Sequence, residues 1–362
     1  MGIEIDFLPV GEKSSGGDAI ALRYGDLHGS REAQTVVVID GGYRDSGEAL
    51  VDHITTHYNT DYVDFVISTH PDRDHISGLE VVLEQLKVGR LLMHLPWNHS
   101  DAVAESRRGG FRSLAANEKL EKSFQEMSDL EAIANAKDIP ISEPFAGVHT
   151  EDGCLRVLGP SQDYYEELLP GIITPTSLTR QIAEALVKAG QAVRAAFSTE
   201  TLDKETLRDD GETRPSNNSS VITLLQDGDF TALLTGDAGI PALERAAAFL
   251  ESEGFVPGSL NFVQIPHHGS WRNVGPTVLN RLLGRPAKET THAVAFVSAP
   301  PENPDAKHPA KKVTNAFIRR GYAVHATQGF TKWHRRNAPE RVNYSNSTPI
   351  PFHERVEEDS EA

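Results

Sequence analysis

The chain has one cysteine, Cys154, among 362 residues. An internal disulfide framework is therefore excluded, and the composition suits a reducing compartment. Long apolar runs are also missing. The longest, such as Thr35–Ile39 and Val221–Leu225, are strand-sized, so no membrane span is expected. The start, Met1-Gly2-Ile3-Glu4-Ile5-Asp6, lacks the basic flank and apolar core of a secretory signal, and Asp6 stands where a myristoylation pattern needs Ser or Thr. The expected location is the cytoplasm. Basic residues are in deficit, with 35 Lys and Arg against 52 Asp and Glu, a formal charge of −17. That balance excludes a broad Lys/Arg face for duplex nucleic acid. The local clusters Arg107-Arg108-Arg112 and Lys332-Arg335-Arg336-Arg341 read as solvated surface.

A chain of this length with 38% apolar residues can bury a substantial core. Its short apolar runs fall in two regions. In the first, Ala19–Leu22, Thr35–Ile39, Tyr62–Ser68 and Arg90–His94 read as strands, with helices over Gly47–Tyr58 and Gly78–Leu86. In the second, Val221–Gln226 and Thr231–Thr235 flank the hairpin turn Asp227-Gly228-Asp229. Phe262–Ile265 and Val294–Ser298 are further strands, and Pro241–Glu253 and Pro309–Arg320 are helices. The helical stripes Leu114–Lys137 and Leu178–Ala196 carry core-facing spacing. Ser198–Ser216 reads as a mobile polar loop, and the tail after Phe352 as disordered. One domain is expected over 1–330, with helical insertions at about 100–138 and 160–216 and a polar, partly disordered extension over 331–362. Two β-rich halves joined by helices imply a sheet-on-sheet core with helices outside.

The chemistry concentrates in His70-Pro71-Asp72-Arg73-Asp74-His75, where the apolar stretch Val63–Ile67 gives way to a loop. Imidazoles and carboxylates hold Zn²⁺, Mn²⁺ or Fe²⁺. A buried carboxylate cluster is expensive unless cations compensate it. Other strand ends carry the same residue types. Asp40 lies in Ile39-Asp40-Gly41-Gly42, and Asp237 in Leu233-Leu234-Thr235-Gly236-Asp237. A further strand runs into His267-His268-Gly269-Ser270, and Lys307-His308-Pro309 opens a helix.

Together these motifs resemble the metallo-β-lactamase-fold hydrolases, and more narrowly the nuclease domain of ComEC-type competence proteins and its stand-alone soluble relatives. The resemblance rests on Gly17-Asp18-Ala19-Ile20, the Asp40 element, Ser68 to Gly78, Asn217-Asn218-Ser219-Ser220, the Asp237 element, Pro266 to Ser270 and His308-Pro309. It covers roughly residues 5–330. It implies an α/β layered fold, an αβ/βα sandwich of two mixed β-sheets flanked by helices, with helical insertions. It also implies two divalent metal ions, Zn or Mn, in a groove along one sheet edge. His70 and Asp72 would hold the first ion, and Asp74, His75 and His268 the second, with Asp237 bridging. His268 is preferred because it precedes the glycine; His267 would orient a ligand or touch substrate. Asp40 would orient the site from behind. Asn217, Asn218, Ser219 and Ser270 read equally as donors to substrate or as ordinary turns, and His308 as a general acid, a phosphate contact or a structural residue. Asp72 stands where the family's usual run has a second histidine, and Asn217–Ser219 where a histidine normally precedes the bridging aspartate. Both changes leave a harder, more weakly held first site.

The resemblance implies hydrolysis by a metal-activated water, with Asp74 in the catalytic set. Phosphodiester bonds in nucleotides or single-stranded nucleic acid are the leading substrates. Two alternatives stay open: a hydrolase of amide, lactam, lactone or thioester bonds, and a regulatory subunit docked to a protein partner through the insertions or Trp333–Tyr344. His94, Pro96, Trp97 and His99 read as packing or a lid, and Trp271 and Arg272 as contacts for a base or phosphate.

Overall fold

Strand β1 (Gly2–Phe7) shows how the sequence sorts its side chains. Ile3, Ile5 and Phe7 enter an apolar layer, while Glu4 and Asp6 alternate to the other face. The protein is described by a computed structural model over residues 1–11, 16–111, 118–173, 197–287, 291–301 and 308–357. The stripe Leu178–Ala196, the start of Leu114–Lys137, Arg112 and Lys307 lie outside the described residues.

The first half contributes β2 (Ala19–Gly25), β3 (Gln34–Gly41), β4 (Tyr62–Ile67), β5 (Lys87–Leu92) and β6 (Ile141–Ser142). Helices α1 (Arg44–His53), α2 (Arg73–Ile76), α3 (Leu79–Gln85), α4 (Asp101–Arg107) and α5 (Glu118–Ala136) run between them. The second half supplies β7 (Leu155–Gly159), α6 (Gln162–Ile173), β8 (Phe197–Thr199), α7 (Pro215–Asn218), β9 (Ile222–Asp227), β10 (Phe230–Leu234) and α8 (Ile240–Ser252). It continues through β11 (Phe262–Gln264), α9 (Pro276–Leu283), β12 (Ala293–Val297), α10 (Lys311–Arg319), β13 (Tyr322–Ala326), β14 (Lys332–Arg336) and β15 (Arg355–Glu357).

Two mixed sheets result, ordered β14-β1-β2-β3-β4-β5-β6 and β13-β12-β11-β10-β9-β7. In each, one half is antiparallel and the other parallel. The sheets pack through an apolar layer containing Ile5, Phe7, Leu22, Val37 and Ile39 from one and Leu225, Leu234, Phe262 and Phe296 from the other. Outside the first sheet, Val36, Val38 and Val66 meet Leu50, Leu79, Val82, Phe124 and Leu169 of the helices. Outside the second, Leu233, Val263 and Ala295 meet Leu243, Leu250, Leu282 and Phe317. This is the αβ/βα layering expected. Among the described residues no helix is long and apolar enough to cross a membrane.

Three stretches differ from their sequence reading. The fold does not stop at 330: β14 pairs with β1 from Ile3–Arg336 to Phe7–Lys332 and closes the edge of the first sheet. Ser198–Ser216 is not wholly a loose loop, since β8 pairs with β15 and Glu200 is buried against Asn315 and Arg319. The tail past Phe352 is likewise held as far as Glu357. In each case pairing supplied from far along the chain satisfies backbone groups that local sequence left open.

The two outward carboxylates of β1 explain why the C-terminal segment docks. Glu4 and Asp6 are fully buried. Arg23 pairs with Glu4, while Arg341 donates to Asp6 at 2.7 and 2.9 Å and lies 3.0 Å from Glu4. Trp333 Nε1 donates to Glu4 at 3.0 Å, and Tyr58 Oη to Asp6 at 2.7 Å. Within the basic, aromatic segment Trp333–Tyr344, Trp333 and Arg341 are thus engaged inside the molecule. Burial pushes the Asp6 carboxyl up, but His53 and Arg341 outweigh it and bring it down to about 2. A depressed carboxyl stabilises the fold above its unfolded value near 3.8, and this contribution is lost as pH falls towards about 2. Arg341→Ala is expected to lower unfolding stability by about 3–5 kcal/mol, because it leaves Asp6 charged and under-compensated; the shift in urea midpoint checks this.

Candidate metal centre

The parallel halves of both sheets aim their strand ends at one edge. β3 and β4 are parallel, as are β10, β11 and β12. Loops from parallel strands therefore gather where their carboxyl ends meet. β3 ends in Asp40; β4 runs into His70–His75; β10 into Asp237; β11 into His267 and His268; β12 into Ser298. The backbone is tight here. A Cβ on Gly17 would lie 2.2 Å from Asp74 O, so only glycine lets that segment lie against the metal loop. His267 and His268 both adopt left-handed conformations, φ 47° and 55°. Two successive non-glycine residues there are strained, and such strain persists where surrounding structure enforces it.

Hydrogen bonds behind the imidazoles set which nitrogen faces the groove. Asp40 Oδ1 accepts from Thr69 N at 2.8 Å, and its Oδ2 accepts from Thr69 Oγ1 at 2.6 Å. Asp40 Oδ2 also lies 2.7 Å from His75 Nδ1. His70 Nδ1 lies 3.0 Å from Thr69 Oγ1. Since that hydroxyl proton goes to Asp40, His70 Nδ1–H is the donor to Thr69. His268 Nδ1 donates to Ser298 O at 3.1 Å. His267 Nδ1 lies 2.8 Å from Asn273 Oδ1, and Asn273 is anchored by its own donation to Asp237 O at 2.8 Å. All four Nδ1 atoms are thus engaged, and all four Nε2 atoms face Asp237.

Asp237 is the centre of the arrangement. Its Oδ1 lies 3.5 Å from His75 Nε2 and 3.9 Å from His268 Nε2. Its Oδ2 lies 3.6 Å from His267 Nε2 and 3.7 Å from His70 Nε2. These separations are too long for hydrogen bonds. The Nε2 atoms of His70, His75 and His268, with Asp237 Oδ1, are buried and have no hydrogen-bond partner. Orphaned buried groups are costly. Ligand atoms each about 2.0–2.2 Å from a shared cation would lie roughly 3–4 Å apart, so the set fits divalent ions. Among the described residues, ligand atoms also cluster within 4.8 Å in the groups Asp74–His75–His268, Asp18–His75–Asp237 and Asp40–His70–His75.

The electrostatics agree with that fit. Burial, helped by His75, brings the His70 imidazole down to about 4, which keeps it in the neutral, ligating form. Burial also works against charging His75, but Asp237 and Asp40 outweigh it and hold the ring well above its usual value. A cation at Nε2 would take over that positive charge. Asp237 resists burial through His267, His75 and His268 and stays well below the carboxylate range. Burial pushes both Asp40 and Asp18 up, against the pull of His75. Asp72 is pushed up by burial yet ends below its usual value because His70, Arg214 and Lys119 surround it.

The remaining candidates have distinct surroundings. Asp72 Oδ2 lies 3.5 Å from Arg214 Nη1 and 3.6 Å from Lys119 Nζ. Asn217 holds its amide 2.9 Å from His267 Nδ1 and donates to Thr213 at 2.9 Å. Ser219 Oγ donates to Ser216 O at 2.7 Å within the turn, and Asn218 Oδ1 is buried beside Gly239 without a hydrogen-bond partner. Ser270 Oγ accepts from Arg272 N at 3.3 Å. The His308 ring lies parallel to that of His267, centroids 6.4 Å apart. His94 is stacked on Tyr165 at 4.4 Å, and burial brings it down to about 3. Trp97 carries Arg107 over its face at 4.1 Å. Those two residues pack.

Residues that sequence reasoning gave no role complete the centre. Thr69 fixes the His70 tautomer, and Asn273 holds the His267 ring in place. Ser220 Oγ accepts from Asp237 N at 3.1 Å. Gln264 donates to Asp18 at 2.8 Å and accepts from Thr235 N and Gly236 N. Asp18 had a signal, since it lies in a Gly-Asp pair like that of Asp237. The others are ordinary polar types whose partners come from distant segments.

No protein-family model matches the chain, and no curated protein does. Among solved structures the chain is similar to the metallo-β-lactamase fold protein YhfI from Bacillus subtilis, with 9% identity, a TM-score of 0.43, and 92% of this chain and 100% of that one covered. It is similar to unliganded yeast PDE1 at 11% identity and a TM-score of 0.40, covering 90% and 96% of the two chains. It is also similar to a long form RNase Z from yeast at 10% identity and a TM-score of 0.36, covering 91% of this chain and 41% of that one. At these values the fold assignment rests on the strand order and layering described above.

Thr69→Val removes the hydroxyl that holds the His70 ring and bridges it to Asp40. It is expected to weaken Zn²⁺ or Mn²⁺ binding by about 10–100-fold, with Thr69→Ser near wild type; competition against a chromogenic chelator measures this.

Proposed function

We propose that the protein is a metal-dependent hydrolase of phosphodiester bonds, acting on nucleotides or single-stranded nucleic acid. The observation that carries this reading is the division of Asp237 between two imidazole pairs, Oδ2 facing His70 and His267, Oδ1 facing His75 and His268. One carboxylate presenting an oxygen to each of two nitrogen pairs is the arrangement expected of a bridging ligand. On this reading His70, His267 and Asp72 hold one divalent cation, while His75, His268 and Asp74 hold the other. On this reading His267 joins His268 as a ligand, since its Nε2 lies 3.6 Å from Asp237 while Asn273 holds its Nδ1.

Two such cations, Zn²⁺ or Mn²⁺, if bound there would supply Lewis acidity and acidify a water at neutral pH. The chain's own residues do the rest. Thr69 and Asp40 keep the rings of His70 and His75 from turning, so the groove is organised before substrate arrives. The carboxylate-rich loop favours hard cations, which suits phosphoryl oxygens. His308, beside His267, would give a proton to the departing oxygen. Trp271, with the Arg272 guanidinium 4.7 Å and Lys312 Nζ 5.7 Å from its ring centroid, would receive a base or phosphate following the His pair.

Protein loaded with Mn²⁺ or Zn²⁺ is expected to hydrolyse bis(p-nitrophenyl) phosphate and labelled single-stranded DNA. Asp74→Ala should lower kcat by about 100-fold or more. Turnover of nitrocefin or ester reporters with phosphodiesters untouched would overturn the bond assignment. A folded preparation that takes up neither cation would overturn the metal reading itself.

A further inference from the structure

Asp72, the residue that departs from the usual histidine-rich run, is met by cations from both insertions. Lys119 Nζ reaches Asp72 Oδ2 at 3.6 Å from the start of α5, and Arg214 Nη1 reaches the same oxygen at 3.5 Å from just before α7. The Asp72 side chain is 13% exposed, whereas those of Lys119 and Arg214 are 52% and 47% exposed. The carboxylate is therefore the buried member of this cluster, and the two cations are its half-exposed members.

The placement of α5 is held independently of this contact. Glu126, two turns further on, accepts from Arg73 Nε and Ser77 Oγ, each at 2.7 Å, and docks the helix on the metal loop. Arg73 is thereby neutralised by Glu126, while Lys119, on the same side of the helix, is directed at Asp72. Among the described residues, Lys119 and Arg214 have no carboxylate within ion-pair distance besides Asp72. Both contacts are longer than a hydrogen bond, and half-exposed ion pairs of this kind hold weakly. Two cations thus share one loosely held anion at the edge of the proposed first metal position. In a chain of formal charge −17, they are local attraction for an anionic substrate.

We infer that Lys119 and Arg214 form the recognition site for the non-bridging oxygens of a phosphodiester, with Asp72 as the resident anion that holds their place until the first cation draws it away. This rests on the phosphodiesterase reading above and names the residues that select its substrate. Once Asp72 turns to the first cation, the guanidinium fork and the ammonium are left facing the groove. A phosphoryl oxygen pair matches that fork, and a neutral carbonyl substrate does not.

The test uses the full chain loaded with Zn²⁺, as wild type, Arg214→Gln, Lys119→Gln and the double variant. Each single variant is expected to raise KM for bis(p-nitrophenyl) phosphate about 10-fold with kcat within about threefold, and the double variant more, as loss of a charge-assisted contact predicts. Calorimetric titration with inorganic phosphate should show the same loss of affinity, with metal content and melting temperature unchanged. Arg214→Lys should recover part of it. Unchanged KM and phosphate affinity in the double variant would overturn the inference, as would a loss confined to kcat. If wild type hydrolyses no phosphodiester, the functional reading fails. The phosphate titration then decides this site alone: weakening in the variants keeps it, and absence of phosphate binding to wild type ends it.

Discussion

A single buried carboxylate, Asp237, stands among four imidazole nitrogens that lie 3.5 to 3.9 Å from it, and much of the fold answers to that constraint. Such a group is unfavourable in a protein interior unless positive charge surrounds it. Here part of that charge is the imidazolium of His75, held by Asp237 and Asp40 against the cost of burial. The same geometry suits two divalent cations, which would replace protons at the ring nitrogens. A site of this kind needs ligands from both sheets to arrive at one place. The parallel half of each sheet ensures that they do.

The second requirement is that each ring shows the right nitrogen. Imidazole has two, and a free ring would present either. A chain of hydrogen bonds from His70 through Thr69 to Asp40 and back to His75 removes that freedom for the loop histidines. Ser298 O orients His268, and Asn273 Oδ1 with the Asn217 amide holds the His267 ring, in the pair that follows β11. The pair can present both rings to one carboxylate because both residues take left-handed backbone conformations. Strain in that turn is held in place by the groups packed around it.

Charge is also managed far from the groove. Glu4 and Asp6 are buried on β1 and answered by Arg23 and Arg341, the latter drawn from a segment that sequence alone reads as an extension. That clasp turns a polar tail into the edge strand of the first sheet. The insertions behave similarly: α5 docks on the His70–His75 loop through Glu126 and brings Lys119 to Asp72. Segments outside the family resemblance thereby come to border the site.

The sequence by itself determined the layers, the strands that end at the site and the ligand types. The apolar runs of β3, β4 and β10 and helical spacing in α8 and α10 are local, and strand-end motifs such as Gly236-Asp237 and His267-His268 are visible within a few residues. Only the tertiary structure decided how those residues are shared. That both His267 and His268 face Asp237 depends on Asn273 and Ser298, which arrive from other segments. Thr69, Ser220 and Gln264 carry no local mark, because a hydroxyl or an amide gains its role from its partner. Asp72 looked like one more ligand in the run; its pairing with Lys119 and Arg214 comes from helices placed by long-range packing. Side-chain type and period are properties of neighbouring residues, whereas tautomer, charge pairing and edge closure depend on contacts between segments far apart in the chain.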